Sequence, residues 1–222
     1  MLFDAGNTRI FLDHDRMAAA VGAALGVPLD PGRLAGAAGE AARAAERARG
    51  VDSDRARVYL EALFTGAGMP ADRMTEVSEC LRRLHGEQHL WCRLDAGTRE
   101  ALDRLRAGGL RLGVVSNSDG RVEEALIAAG LRDCFDVVLD SALVGVEKPD
   151  PAIFRAALDA LGVAPDEALY VGDLYDVDVV GARAAGMEAV LLVPEAAGHG
   201  PDCRRFTSIA ALADDLLNGG RS

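Results

Sequence analysis

Lysine is nearly missing from this sequence. Of its 24 cationic residues, Lys148 alone is lysine and the rest are arginine. One lysine can survive by chance in an Arg-rich chain. Its place inside Gly145-Val146-Glu147-Lys148-Pro149-Asp150-Pro151 argues instead for a position where guanidinium will not serve. Arg presents a planar fork of donors, whereas Lys presents a compact ammonium on a thin stem that reaches between crowded anions. Aromatic residues are also scarce, at 5%, so the core must be built from Ala, Val and Leu. Positive charge is short overall. A formal charge of −11 argues against nucleic acid or an anionic membrane as the main partner, because phosphate surfaces need a basic partner. No run approaches the ~20 apolar residues that span a bilayer, and no signal peptide opens the chain. Cys80, Cys92, Cys134 and Cys203 match neither zinc-site nor redox-pair spacing. These absences together predict a cytoplasmic protein with reduced thiols.

What is present divides into two kinds of sequence. Residues 94–193 alternate helix and strand. Helices are expected over 95–107 (capped by Asp95 or Thr98), 122–129, 151–161 and 176–185, and strands over 110–115, 135–139, 168–171 and 189–193. A closing helix is expected over 208–217. That alternation implies a parallel sheet covered on both faces. Residues 14–93 show helical periodicity and almost no strand signal, with helices expected over 14–25, 31–49, 53–67 and 71–91. The second is Ala-rich, with Leu34 its one large apolar residue, and is expected to bury little and be mobile. The chain therefore reads as an α/β core of residues 1–13 and 94–222 interrupted by a helical domain, 14–93. Only Met1-Leu2-Phe3 precedes Asp4 at the end of a central strand. Strands usually run about 5–6 residues, so either this strand is short or the chain's start lies several codons late.

Four polar clusters fall where strands should end, the position at which open α/β sheets bind ligands. They are Phe3-Asp4-Ala5-Gly6-Asn7-Thr8, Val115-Ser116-Asn117-Ser118, Lys148-Pro149-Asp150-Pro151, and Val171-Gly172-Asp173-Leu174-Tyr175-Asp176-Val177-Asp178 with Gly181 to Met187 after it. Each has a plain alternative: a turn, a loop, a helix start, or a cap that favours a helix dipole. In this order they resemble the four motifs of the haloacid dehalogenase superfamily. The position of the helical insert resembles the subgroup whose cap follows the first motif.

That resemblance implies a Rossmann-like core, a helical cap, and a hydrolase acting on a small phosphorylated substrate with Mg²⁺. It implies that Asp4 is the nucleophile, forming an aspartyl-phosphate. Ser116, Asn117 and Thr8, with nearby backbone N–H groups, would bind phosphate. Lys148 would neutralise charge between nucleophile and phosphate. The metal would be held by Asp4, the Gly6 backbone carbonyl and Asp173, with Asp178 ligating or supporting it and Asp176 the weaker candidate.

The pattern departs from the family at one position. Most of its phosphatases read Asp-x-Asp-Gly-Thr, with the second Asp as general acid and base. Here that residue is Gly6, followed by Asn7. Gly6 can offer a carbonyl but cannot transfer a proton, a loss worth ~10²–10⁴ in rate. Three catalytic explanations and one non-catalytic one compete. Haloacid dehalogenases lack this Asp, yet they also lack the acid that Asp173 supplies. Phosphonatases need a cap lysine, and residues 14–93 contain none. A phosphatase with weakened acid–base chemistry, favouring acyl or aryl phosphates, remains. So does a retired hydrolase that binds a phosphorylated ligand or a protein. A receiver domain is disfavoured because its acidic pair precedes its phospho-acceptor strand.

Other features carry less. His85 and His89 are spaced to share a metal, but with no third ligand evident they read as a surface pair. Glu147 orients the Lys148 ammonium or faces solvent. Arg9 reads as exposed, and Arg16, Arg43 and Arg47 as solvated faces.

Overall fold

The computed structural model describes residues 1–6, 11–48, 52–193 and 202–219. They fall into two compact units, Leu12–Trp91 and Met1–Phe11 with Cys92–Ser222. In chain order the elements are β1 (Leu2–Phe3), β2 (Phe11–Leu12), α1 (His14–Leu25), α2 (Pro31–Arg47), α3 (Asp52–Gly66), α4 (Met74–Glu87), β3 (Trp91–Arg93), α5 (Thr98–Ala107), β4 (Gly113–Ser116), α6 (Val122–Ala128), β5 (Val137–Asp140), α7 (Ser141–Val144), α8 (Pro151–Leu161), β6 (Leu169–Gly172), α9 (Val180–Ala184), β7 (Glu188–Leu192), β8 (Arg205–Phe206) and α10 (Ile209–Asn218). Short β2 and β3 pair with each other.

The larger unit is built on a six-stranded parallel sheet in the order β5-β4-β1-β6-β7-β8, flanked by helices. The chain passes from β1 outward through β4 and β5, then returns to β6 on the other side of β1. That reversal opens the crevice in which such sheets bind ligands, beyond the carboxyl ends of the strands. Successive side chains of a strand face opposite sides. Leu2 accordingly joins the core of Ile153, Phe154, Tyr170 and Leu191, while Phe3 meets Phe135 edge-on at 6.3 Å. β1 has only two residues, both fully buried.

The expected elements are present with shifted ends. The strand expected over 110–115 pairs only from Gly113, because the Asp136 carboxylate takes the Leu112 N–H at 2.9 Å in place of a ladder partner. α5 begins at Thr98 behind Gly97, whose φ of +83° needs glycine, and no side chain caps it; neither Asp95 nor Thr98 plays the expected role. The helix expected over 176–185 is broken. A π-helical turn, Tyr175–Val179, precedes α9, and such turns often mark functional positions. β8 was not expected at all. It is a two-residue edge strand beside β7, with no periodicity to announce it.

The smaller unit corrects three sequence expectations. α2 was expected to bury little and be mobile. Instead Leu34, Ala37, Ala41 and Ala45 form a buried stripe, and α3 packs on it so closely that a Cβ on Gly66 would lie 2.9 Å from the Ala37 Cβ. Short side chains bury the helix here by letting its neighbour approach. Arg16 does not decorate a solvated face. Its guanidinium donates to the carbonyls of Leu84 (2.5 Å), Gln88 (2.8 Å) and His89 (3.2 Å), at the end of α4 and just beyond it. His85 and His89 are not a surface pair either. His89 is buried, its ring 4.4 Å from that of His85, whose Nδ1 accepts from the Leu90 N–H. Among the described residues no helix is long and apolar enough to cross a membrane, and none of the four cysteines forms a disulfide.

The closeness of α2 and α3 sets one expectation. Ala37→Leu should destabilise the protein by about 1–3 kcal/mol through overpacking, read as a lower denaturation midpoint at unchanged slope. An unchanged midpoint would mean that the interface has slack.

Candidate active site

Four segments converge beyond the sheet's carboxyl edge: those after β1, β4 and β6, and the loop that carries Lys148. Asp4 directly follows β1 and its N–H donates to the Val171 carbonyl of β6 at 2.9 Å, so the β1 ladder continues into the nucleophile candidate. Ser116 ends β4 and is buried. Its hydroxyl makes a long 3.5 Å contact with the Asn117 carbonyl. The loop after β4 is tied down from β5. Asp140 accepts from the N–H groups of Gly120, Val122 and Ala142 at 3.0, 3.1 and 3.0 Å, and Ser141 Oγ accepts from the Ser118 N–H at 3.1 Å.

Lys148 lies in the loop between α7 and α8. Gly145, at φ +79°, turns the chain out of α7, while Asp150 caps α8 and Pro151 begins it. Asn117 grips this loop at both ends of one residue. Its Nδ2 donates to the Lys148 carbonyl at 3.1 Å and its Oδ1 accepts from the Lys148 N–H at 2.8 Å. The Asn117 side chain is thus committed to holding Lys148, which leaves its backbone for the phosphate contact the sequence suggested.

The Lys148 ammonium is 3% exposed and has three acceptors: Asp4 Oδ1 at 2.6 Å, Asp178 Oδ1 at 2.8 Å and the Tyr170 hydroxyl at 3.0 Å. Three donors therefore meet three acceptors, which answers why this position is lysine. Asp178 is fully engaged. Its other oxygen accepts from the backbone N–H groups of Asp173 (3.1 Å) and Leu174 (3.0 Å). This approach requires Gly172, where a Cβ would lie 2.3 Å from the Asp178 carboxylate. Asp173 is half-buried, and the carboxylates of Asp4, Asp173 and Asp178 can bring oxygens within 4.8 Å of one another. Asp176 and Glu147 are exposed. Gly6 is half-buried, whereas Asn7, Thr8 and Arg9 lie outside the described residues, and with them the expected Thr8 phosphate contact.

Three carboxylates around one ammonium leave an excess of negative charge. Burial, opposed by Lys148 and assisted by Asp178, pushes Asp4 up from 3.8 to about 6. Burial, followed by the charges of Asp4 and Asp178, holds Asp173 well above the usual carboxylate range. Burial alone would lower the Lys148 ammonium, but Asp178 and Asp4 more than offset it, so it stays charged. Burial and the same carboxylates hold the Tyr170 phenol up, and it remains protonated. Tyr170 is the site residue that sequence reasoning missed. A polar aromatic inside an otherwise apolar buried strand, on the same side as Gly172, was the available signal.

A folded-state pKa raised for an acid means that the folded protein holds the proton more tightly than the unfolded chain. Asp4 then costs nothing below 3.8, and stability falls as pH rises through about 6. Without added metal, Asp4→Asn should melt above wild type at pH 7.5, by roughly 1–3 kcal/mol, and the gap should close towards pH 4. A gap independent of pH would show that Asp4 is not strained by burial. Gly172→Ala should also lower stability, by about 2–4 kcal/mol, because Asp178 must withdraw from its backbone and Lys148 partners; an unchanged melting curve would contradict that packing.

Comparison with known proteins fits this geometry. Residues 37–186 match the family model for haloacid dehalogenase-like hydrolases. The chain is 44% identical over 130 residues to the mouse (Mus musculus) haloacid dehalogenase-like hydrolase domain-containing protein 3, covering 58% of this chain and 51% of that protein. It is 42% identical over 155 residues to a phosphoserine phosphatase of Thermus thermophilus, covering 68% and 60%. The chain thus spans about half the length of the curated relatives it matches. Among solved structures, a HAD phosphatase from Thermococcus onnurineus superposes with a TM-score of 0.61 at 25% identity, over 100% of this chain and 98% of that one. A family model covering most of the chain, on a parallel sheet whose central strand ends at a buried Asp–Lys pair, leaves one assignment: the chain belongs to the haloacid dehalogenase-like hydrolases.

Proposed function

We propose that this protein is a Mg²⁺-dependent phosphatase of small phosphorylated molecules, working through an aspartyl-phosphate on Asp4. The observation that carries the reading is the Lys148 ammonium, buried 2.6 Å from Asp4 and 2.8 Å from Asp178. A cation aimed at the nucleophile lowers the repulsion between two anions as a phosphate approaches it. One Asp4 oxygen attacks phosphorus, the bond to the leaving oxygen breaks, and water later releases phosphate from the acyl phosphate. Ser116 and the backbone N–H groups after β4 would hold phosphoryl oxygens.

The donor set fits Mg²⁺. Its side chains are all carboxylates, hard oxygen donors, and their charge is under-compensated by one ammonium. Asp4, Asp173 and the Gly6 carbonyl would hold the ion. Asp178 would support them, since both of its oxygens are already engaged. When bound, the ion would supply charge neutralisation for the phosphoryl oxygens. The helical unit would serve as a cap that sets specificity and excludes water. The phosphatase names of two relatives support the substrate class, and the charge of −11 argues against nucleic acid as substrate.

Gly6 shapes what such an enzyme would prefer. Without a carboxyl at this position, the leaving oxygen departs unprotonated, so acyl and aryl phosphates should turn over better than alkyl phosphates. The same glycine favours a second reading, a retired hydrolase that binds a phosphorylated ligand or a protein partner. Halogen–carbon hydrolysis is less well supported, because Asp173 stands beside Asp4.

A panel of aryl, acyl and alkyl phosphates and 2-haloacids, assayed with Mg²⁺ and with EDTA, separates these readings. Wild type should hydrolyse aryl and acyl phosphates only with Mg²⁺, and Asp4→Asn should be inactive. Gly6→Asp should raise alkyl phosphate turnover by about tenfold or more. Lys148→Arg should lose at least about hundredfold, because a planar fork cannot meet three convergent acceptors in a closed site. Mg²⁺ binding with no turnover of any ester would favour the retired reading. An active Lys148→Arg would remove the central support for the mechanism.

A further inference from the structure

Tyr170 belongs to no motif that the sequence brings to notice, yet it is fully buried directly beneath the site. It pairs in register with Leu2, two residues before Asp4, so its side chain leaves the sheet on the same face as that of Asp4. Gly172, next on that face, has no side chain and lets Asp178 descend towards the phenol. The hydroxyl then touches three groups: the Lys148 ammonium at 3.0 Å, the Val115 carbonyl at 3.1 Å and Asp178 Oδ1 at 3.3 Å. A phenol has one proton to give. With that proton on the Val115 carbonyl, its oxygen accepts from Lys148, and every buried group is satisfied. The ring is held independently, edge-on against Phe154 at 4.9 Å.

We propose that Tyr170 is a positioning residue that holds the Lys148 ammonium in line with Asp4 by serving as its third, uncharged acceptor. This rests on the reading of Lys148 as the charge-neutralising group. A neutral acceptor suits the place, since a further carboxylate would add to an existing excess of negative charge. It also matters during turnover. When an Asp4 oxygen engages phosphorus it gives up part of its hold on the ammonium, and Tyr170 with Asp178 keeps that cation aimed. Through the Val115 carbonyl, one residue before Ser116, the same hydroxyl fixes the ammonium relative to the end of β4.

The single lysine makes this directly observable. Protein labelled with ¹⁵N-lysine carries one ζ-ammonium signal, that of Lys148. In wild type it should be resolved and slow to exchange. Tyr170→Phe keeps the ring and removes the acceptor. It should shift that signal and speed its proton exchange by about tenfold or more, with far-UV spectrum and cooperative melting retained. On an aryl phosphate with Mg²⁺, kcat should fall about tenfold with KM within about twofold. In a Lys148→Met background Tyr170→Phe should have little further effect on kcat. An ammonium signal unchanged by Tyr170→Phe overturns the proposal whether or not the protein is a phosphatase, and so does a shifted signal with unchanged kcat, or a full kcat loss persisting without Lys148. If wild type hydrolyses no phosphate ester, the phosphatase reading fails separately, and the ammonium signal alone decides the placement.

Discussion

One buried ammonium surrounded by carboxylates is the constraint on which the rest of the larger unit depends. Lys148 is 3% exposed, and a charge so placed persists only if its donors are met. Asp4, Asp178 and Tyr170 meet them, one donor each. Each partner then imposes a requirement of its own. Asp178 needs the N–H groups of Asp173 and Leu174 and the missing Cβ of Gly172. Lys148 needs its peptide held, and the Asn117 amide does this from both sides. Four chain segments distant in sequence are thereby locked together around a single charge.

The sheet explains why these segments can meet. β1 sits in the middle, with β4 on one side and β6 on the other, and the chain reverses its direction of travel across the sheet at that point. Asp4, Ser116 and Asp173 fall at the carboxyl ends of those three neighbouring strands. The site pairs one cation with an excess of anions, so its carboxylates repel one another. That repulsion registers in Asp4, pushed up to about 6 by burial first and by Asp178. Functional sites commonly carry such uncompensated charge.

Much of this was legible in the sequence because it is local and ordered. The alternation of apolar runs and helix starts announced the parallel sheet, and the solitary Lys148 drew attention to the residue that the site surrounds. Of the two carboxylates weighed for the metal, Asp178 is enclosed and Asp176 is exposed. What escaped notice depends on tertiary approach. The grip of the Asn117 side chain on the Lys148 peptide spans 31 residues, so no local pattern announces it. Tyr170 lies inside an expected strand, and that strand's parity becomes meaningful only once Leu2 is its neighbour. The short side chains of α2 read as weak burial in the sequence, yet it is their size that lets α3 come close. Arg16 seemed a surface charge because the carbonyls it fills lie some 70 positions away.

The central claim is that the carboxylate beside Lys148 is the group that receives phosphate. Acid quenching during turnover of an aryl phosphate with Mg²⁺, followed by mass analysis of the peptides, tests it most directly. The account predicts one added phosphoryl group on the peptide carrying Asp4, absent from Asp4→Asn and lost on treatment with hydroxylamine. Turnover with the phosphoryl group found on another residue, or with no covalent adduct under conditions that trap acyl phosphates, would contradict it.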